Sequence, residues 1–179
     1  AGDALIANTY QGRIGHLPAN GLNGTSQDLP AGYYPEVVSM APTGEALIVA
    51  APSFGIIRVA LRPAGPNQPT DFSTTGAQLF GDNSTTGPVG ALLQADGGAI
   101  VVWQQSDGTL WQAVRRSGQP SFDGPTAIDD PRPDKRKFSV RFDGDASGNA
   151  MLAWTGYSSS TSPGNQAVAT VRGHDGSFG

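Results

Sequence analysis

Residues 97–103 read Gly-Gly-Ala-Ile-Val-Val-Trp, and this stretch decides the prediction of the fold. Three more segments have the same form, a glycine, one further residue, an alanine and an apolar run, and they begin at Gly2, Gly44 and Gly148. The intervals between the four glycines are 42, 53 and 51 residues. A segment that recurs at a nearly constant interval is typical of a repeat protein, so each interval is expected to form one structural unit.

Arginine, phenylalanine and proline recur in phase with these glycines. An arginine closes a second apolar segment 18 residues after two of the glycines and 24 residues after the last, whose loop is longer and rich in Ser and Thr. The arginines are Arg62, Arg115 and Arg172, the phenylalanines that follow them are Phe72, Phe122 and Phe178, and Pro35 and Pro88 open two of the units. Because these residues recur in the same order in successive units, they support the repeat.

Each complete unit reads as four short strands. The second strand of each unit is apolar at every position, which indicates burial on both faces, whereas the third strand alternates apolar and polar residues. We find no helical period. The predicted strands are 36–40, 46–51, 56–62 and 77–80 in the second unit, and 89–93, 99–104, 110–115 and 126–128 in the third.

Four strands over roughly 40–50 residues is the period of a β-propeller blade. We therefore predict an all-β fold, a β-propeller built from four-stranded antiparallel blades, with about 3.5–4 blades in this chain. One repeat array is expected to cover residues 1–179, with approximate units 1–32, 33–80, 81–130 and 131–179. A linear β-solenoid is the alternative repeat fold, but its rungs are shorter.

Two stretches, residues 92–103 and 145–154, resemble the repeats of exported β-propeller proteins common in actinobacteria. Residues 112–115 and the corner at 121–125 are also similar to that pattern. The resemblance covers nearly the whole chain and weakens over residues 8–32. It implies export, an extracellular or cell-surface location, and a binding or scaffold role, and it supplies no catalytic residues.

The first and last units differ from a complete blade. The first starts at its second strand, and the last stops just after Phe178, before its fourth strand. We expect either a fragment of a longer propeller or an assembly in which another chain, such as a second copy, supplies the missing strands. Closure as a small four-bladed ring is the alternative.

Composition excludes several classes of function. Charged residues make up 15% of the chain and the net charge is −4, so a broad basic face for nucleic acid is not expected. The longest apolar run has about six residues, far short of a membrane span. Cysteine is absent from the sequence, which excludes disulfides and thiolate zinc ligands. Low lysine with abundant Ser, Thr, Gly and Asn fits an extracellular protein.

Asp143 and Asp145 are weak candidates for a metal site. With Gly148 they form Asp-x-Asp-x-x-Gly, a fragment of a calcium-binding loop, but Asn149 is the only further oxygen ligand nearby. We favour a turn-capping role for Asp145, because an aspartate side chain readily accepts hydrogen bonds from the backbone of a tight turn. No cofactor is predicted.

Aromatic residues supply the candidate ligand contacts. Trp103 and Trp154 end apolar strands at equivalent positions, so packing between units is their expected role. Trp111 has no aromatic equivalent in the second unit, and Tyr157 precedes the long Ser/Thr-rich loop. We therefore predict that Trp111 and Tyr157 are ligand-binding residues, able to stack on a sugar.

No catalytic residue is predicted, since His16 and His174 lie in no recognisable nucleophile setting. The function expected is that of a secreted, non-catalytic propeller that binds protein or glycan, or that scaffolds an extracellular assembly. One alternative is a propeller-type polysaccharide hydrolase or lyase. Another is a purely structural protein that assembles into filaments or oligomers.

Overall fold

A computed structural model describes residues 4–17, 24–52, 55–65, 68, 77–82, 84–128, 136–157, 165–174, 176 and 178. These residues contain fourteen β-strands and no helix. The strands are β1 (Ala4–Asn8), β2 (Arg13–Leu17), β3 (Thr25–Asp28), β4 (Tyr34–Met40), β5 (Ala46–Ala51), β6 (Ile57–Arg62), β7 (Gln78–Phe80), β8 (Thr85–Leu93), β9 (Ala99–Gln105), β10 (Leu110–Arg115), β11 (Thr126–Ala127), β12 (Arg136–Gly144), β13 (Ala150–Tyr157) and β14 (Asn165–Arg172).

The strands form four antiparallel sheets in which neighbours in sequence are neighbours in space. Sheet 1 has the order β1-β2-β3, sheet 2 β4-β5-β6-β7, sheet 3 β8-β9-β10-β11 and sheet 4 β12-β13-β14. The prediction of an all-β chain with antiparallel four-stranded units is confirmed for sheets 2 and 3. In the described part of the chain, sheets 1 and 4 have three strands each, as the truncated first and last units predict.

The first strands of sheets 2 and 3 are longer than predicted. They begin at Tyr34 and Thr85, because Pro35 and Pro88 lie within the strands rather than before them. The register shifts directly after each of these prolines, between Pro35 and Val37 and again after Pro88. A β-bulge at a sheet edge leaves backbone groups unpaired, so proline, which has no N–H group to donate, is tolerated there.

The second strands form the centre of the fold. Every residue of β5 is buried, and so are the first five residues of β9. Successive side chains point to opposite faces of a sheet, so Leu47 and Val49 face sheet 3 whereas Ile48 and Ala50 face sheet 1. The prediction that these two strands are buried on both faces is confirmed.

The four sheets therefore pack face to face in sequence order, with an apolar cluster at each junction. In chain order, β1 contacts β4, β4 contacts β8, and β8 contacts β12. The clusters contain Ile14, Ile48 and Ala60 between sheets 1 and 2, Leu47, Val49 and Trp103 between sheets 2 and 3, and Ile100, Val102, Leu152 and Trp154 between sheets 3 and 4.

The prediction that second strands are buried on both faces is wrong for sheets 1 and 4, whose second strands are β1 and β13. Ile6 in β1 is 55% exposed and Met151 in β13 is 48% exposed. Leu152, the next residue in β13, is fully buried because it faces sheet 3. Each terminal sheet thus covers its apolar residues on one side, and no described sheet covers the other side.

A repeated turn explains the glycine of the motif. Residues 41–45, 94–98 and 145–149 each form a turn closed by two backbone hydrogen bonds, and the fourth residue is glycine with φ of 89°, 85° and 91°. Residues with a side chain rarely adopt this backbone conformation. At position 148 a Cβ atom would also lie 2.3 Å from Nε2 of Gln94, so the end of that side chain would have to move to admit it.

We expect Leu152→Ala to lower the free energy of unfolding by about 2–5 kcal/mol, since it removes a buried side chain from the junction between sheets 3 and 4. Met151→Ala, on the opposite face of the same strand, is the matched control, and its effect should stay within about 0.5 kcal/mol. Chemical denaturation of both variants at low protein concentration measures the difference. Equal losses of stability would contradict the assignment of the two faces.

Candidate functional site

A groove of about 490 Å³ lies between sheets 3 and 4. Gln112 and Thr126 line it from sheet 3, Arg172 and His174 line it from the sheet 4 side, and Arg116 lies near its rim. At the turn end of the sheets, the backbone N–H of Ala95 donates a hydrogen bond of 2.9 Å to the carbonyl oxygen of Ala146. This bond and the apolar cluster fix the two sheets relative to each other, so the groove is preformed.

A difference in side-chain length distinguishes this junction from the junction between sheets 2 and 3. Gln78 pairs with Val59 in sheet 2 as Thr126 pairs with Gln112 in sheet 3, so Gln78 and Thr126 occupy equivalent positions. The Gln78 carboxamide donates to the Phe122 carbonyl at 3.1 Å and accepts from the Phe122 N–H at 2.8 Å, which ties sheet 2 to the segment between β10 and β11 of sheet 3. The shorter Thr126 side chain has no carboxamide to make these two bonds.

Gln112 is the unusual polar residue of this groove. It is 5% exposed, and it lies opposite Val102 on the face of sheet 3 that is turned towards sheet 4. Its Oε1 atom is buried and has no hydrogen-bond partner among the described residues. A buried acceptor without a donor costs about 1–3 kcal/mol, so a ligand that brings an N–H or O–H group to Oε1 would relieve this cost.

The recurring arginines have a structural role. Arg115 donates to the carbonyl of Gly97 at 3.0 Å and to that of Gln119 at 2.6 Å. Arg172 donates to the carbonyl of Gly148 at 2.8 Å. Arg62, Arg115 and Arg172 therefore hold turns or corners within their own units, since Arg62 bonds the carbonyls of residues 65 and 68. Charge-assisted hydrogen bonds of this kind are stronger than neutral ones.

The rim of the groove carries both signs of charge. Arg116 and Asp123 form an ion pair of 3.8 Å in which both side chains are largely exposed. Exposed pairs of this kind contribute little to stability, so both groups are available to exchange partners with a ligand. The rim therefore suits a ligand with hydrogen-bond donors and acceptors better than a polyanion.

Trp111 lies on the other face of sheet 3. It stands opposite Trp103 and Ala127 across the neighbouring strands, and its ring packs against the cluster between sheets 2 and 3. The side chain is half-buried, and its Nε1 is buried without a hydrogen-bond partner in the described part of the chain. Trp111 thus contributes to the packing of sheets 2 and 3, and its role in ligand stacking stays a prediction.

Tyr157 ends β13, where its backbone pairs with Asn165. Its side chain lies outside what the structure describes, so its role as a ligand contact also stays a prediction. The structure does not bring the four named candidates together. Asp143 and Asp145 lie at the turn end of sheet 4, Tyr157 lies at the opposite end of β13, and Trp111 faces sheet 2.

Asp145 acts within its own turn. Its Oδ1 accepts hydrogen bonds from the N–H groups of Ser147 at 2.9 Å and Asn149 at 3.1 Å, and its Oδ2 accepts from Nδ2 of Asn149 at 2.9 Å. These bonds, of which the Asn149 side-chain bond is the largest cause, hold the pKa of Asp145 below its ordinary value. Asp143 accepts one bond, from the N–H of Gly144.

The described residues contain no group of three or more His, Asp or Glu side chains that could hold a metal ion. His16 is buried on the face of sheet 1 turned towards sheet 2, whereas His174 follows β14 at the groove. The two histidines therefore belong to different junctions. No helix in the described ranges reaches the length and hydrophobicity of a membrane span.

Gln112 and Thr126 were not predicted from the sequence. A signal was available at Gln112, because the equivalent positions in sheets 1 and 2 are the apolar residues Ile14 and Val59. A glutamine at a position that is otherwise apolar, on the face of a packed strand, indicates a polar partner or a ligand. Thr126 gives no such signal until the strands are placed in register with one another.

Comparison with known proteins shows likeness of fold alone. No protein-family model matches the chain, and no curated protein matches it. The crystal structure of a protein of unknown function from Bacteroides caccae is similar with a TM-score of 0.54 at 13% identity, over 98% of this chain and 59% of that one. The chain thus spans 59% of the length of that protein. The crystal structure of the N-terminal domain of Nup159 gives a TM-score of 0.42 at 13% identity, over 99% of this chain and 44% of that one.

We expect Arg115→Ala to lower the free energy of unfolding by about 1.5–3 kcal/mol, since two backbone carbonyls lose a charged donor. The matched control is Arg116→Ala at the next residue, whose exposed ion pair should change stability by about 0.5 kcal/mol or less. Thermal and denaturant unfolding report both values. If Arg116→Ala lowered stability as much as Arg115→Ala does, then Arg115 would not have the structural role assigned to it, and Arg116 would not be free of such a role.

We expect Asn149→Ala to raise the pKa of Asp145, because the variant removes the strongest hydrogen bond to the carboxylate. In the parent protein the lowered pKa stabilises the fold at pH values above the unfolded pKa, and this contribution is lost as the pH falls through the folded pKa. A titration of the carboxyl carbon by NMR measures the shift. Asp82, whose pKa is lowered by Ser84, serves as an internal reference that should not move. An unchanged Asp145 midpoint would disprove the assignment.

Proposed function

We propose that this chain is a non-catalytic binding module of an exported protein, and that its groove between sheets 3 and 4 receives an extended segment of a protein partner. One observation carries the proposal. Gln112 is a buried acceptor without a partner among the described residues, and it faces a preformed open groove. Buried polar groups in native proteins are nearly always hydrogen-bonded, so an exception in a groove points to a ligand.

We further propose that the four sheets are blades of a β-propeller. Support comes from the strand order, which runs from first to fourth through each complete sheet, and from the contacts of β4 with β8 and of β8 with β12. In a propeller the first strands of the blades surround a central channel, and the blades pack face to face. The four sheets of this chain likewise pack face to face, in sequence order.

Export is supported by composition and by the resemblance of the repeats. The sequence has no cysteine, few lysines and many small polar residues, and the repeats resemble those of exported propellers. An extracellular or cell-surface location places the groove where it would meet other secreted proteins or the cell envelope.

A protein segment suits the groove better than a stacked sugar. The described residues that line it include no Phe, Tyr or Trp, so the large ring platforms on which sugars stack are lacking there. An extended peptide presents an N–H and a C=O group at every residue, which matches the buried acceptor of Gln112 and the charged donor of Arg116. Strand-like peptides commonly bind in this way, with backbone hydrogen bonds providing affinity.

Labelled protein applied in parallel to a peptide array and a glycan array tests the proposal. We expect binding to peptides, lost in Gln112→Leu because the acceptor is removed. We also expect weaker binding in Thr126→Gln, because the longer carboxamide, which position 78 carries in sheet 2, would project into the groove beside Gln112. The matched control is Gln105→Leu, in the same sheet but away from the groove, and it should bind like the parent protein.

Three outcomes would contradict parts of this function. Binding to glycans alone would exclude a protein segment as the ligand. Peptide binding that survives both groove variants would place the site elsewhere. Turnover of a polysaccharide that is abolished by one Asp or Glu substitution would replace the binding module with the hydrolase or lyase alternative.

A further inference from the structure

A glutamine carboxamide already holds one segment of this chain by its backbone. Nε2 of Gln78 in β7 donates to the Phe122 carbonyl at 3.1 Å, and Oε1 of Gln78 accepts from the Phe122 N–H at 2.8 Å. Phe122 lies between β10 and β11, and its buried ring packs against that of Phe80 with 5.7 Å between the centroids. One side chain of sheet 2 thus binds both backbone groups of a single residue in the next unit.

The two bonds between Gln78 and Phe122 copy the pairing of antiparallel strands. In a closely spaced pair of such strands, two residues that face each other exchange both N–H···O bonds. A planar carboxamide has a donor N–H and an acceptor oxygen side by side, so it can take the place of one of those two residues. Because only the backbone of Phe122 takes part in these two bonds, its side chain remains available for packing.

Gln112 has the same carboxamide one strand further in. Gln112 pairs with Thr126 in sheet 3 as Val59 pairs with Gln78 in sheet 2, so sheet 3 has its carboxamide on the third strand instead of the fourth. The side chain is buried and lines the groove, and its Oε1 has no hydrogen-bond partner among the described residues. Gln112 therefore has the chemistry of Gln78, but no described N–H group donates to its oxygen.

We propose that Gln112 binds the partner segment as Gln78 binds Phe122, through the N–H and the C=O of one residue. This inference rests on the proposed function, since it concerns the same groove. It makes Gln112 a residue that recognises backbone, so the partner residue opposite it can have any side chain except that of proline, which has no N–H group. The partner class is then an extended stretch without proline at that position, and one of many sequences.

The charges of the groove favour a backbone N–H over a cationic side chain as the donor. The described residues that line the groove include three arginines and two aspartates, namely Arg115, Arg116, Arg172, Asp96 and Asp123. A Lys or Arg side chain of the partner would enter a groove with more cationic than anionic groups, and like charges repel. A neutral donor for Oε1 of Gln112 is therefore preferred, and an extended segment supplies one at every residue except proline.

Replacement of single amides in a bound peptide by esters tests the proposal. The probe is the tightest-binding array peptide among those whose binding is lost in Gln112→Leu. An ester before a residue removes the N–H of that residue, and an ester after it weakens its C=O as an acceptor, while every side chain is kept. We expect two consecutive esters, on either side of one residue, each to weaken binding about tenfold in calorimetry.

NMR of the parent protein connects these two positions to Gln112. The side-chain NH₂ signals of Gln112 are identified by their absence from the spectrum of Gln112→Leu. They should move downfield when the unmodified peptide saturates the protein, because Nε2 then donates to a carbonyl. The peptide with the ester after the key residue should produce a smaller shift at saturation. The NH₂ signals of Gln105, in the same sheet but away from the groove, are the internal control and should not move.

The outcomes separate this inference from the proposed function. If every ester peptide bound like the unmodified one, the groove would still bind peptides, but Gln112 would not bind their backbone. If only the ester before the residue weakened binding and the NH₂ signals of Gln112 stayed in place, Gln112 would act through its oxygen alone, and the two-bond arrangement would be disproved. If no array peptide bound at all, the proposed function itself would be wrong, and this inference with it.

Discussion

Burial of the second strands on both faces is the constraint on which the whole structure depends. A strand such as β5 has apolar side chains on both sides, so one neighbouring sheet cannot shelter it from water. The lowest free energy requires a sheet in front and a sheet behind, and each of those sheets has the same need. This requirement explains why the sheets follow one another in sequence order, and why Met151 and Ile6 are exposed where the series ends.

The same constraint shows why much of the fold was predictable. The apolar runs mark the buried second strands, and the glycine before each run marks a turn with positive φ, so strand number and order follow from local sequence. The prolines were placed wrongly because a β-bulge depends on the pairing of two strands, which local sequence does not reveal. The exposure of Met151 was missed for a related reason, since its apolar character matches that of its buried equivalents and only the neighbouring sheet distinguishes them.

The candidate site was far less predictable than the fold. Thr126 lines the groove at the position that Gln78 occupies in sheet 2, and this equivalence is visible only when both sheets are in register. Gln112 carried a weak signal, a carboxamide among apolar equivalents, whereas Trp111 attracted attention for its ring and proved to be half-buried in the packing of sheets 2 and 3. Residue type alone therefore favoured Trp111, whereas Gln112 could be identified only from its position at the groove in the structure.

The arginine hydrogen bonds have a consequence for how such a protein changes over time. Arg115 and Arg172 bond to carbonyl groups of their own units, whereas neighbouring units meet mainly through apolar clusters, with a few hydrogen bonds such as that from Ala95 to Ala146. Apolar packing tolerates exchange of one hydrocarbon surface for another of similar size. A gene for this chain can therefore gain or lose a whole unit by duplication or deletion while every remaining unit keeps its internal hydrogen bonds, which makes unit number an easily varied trait.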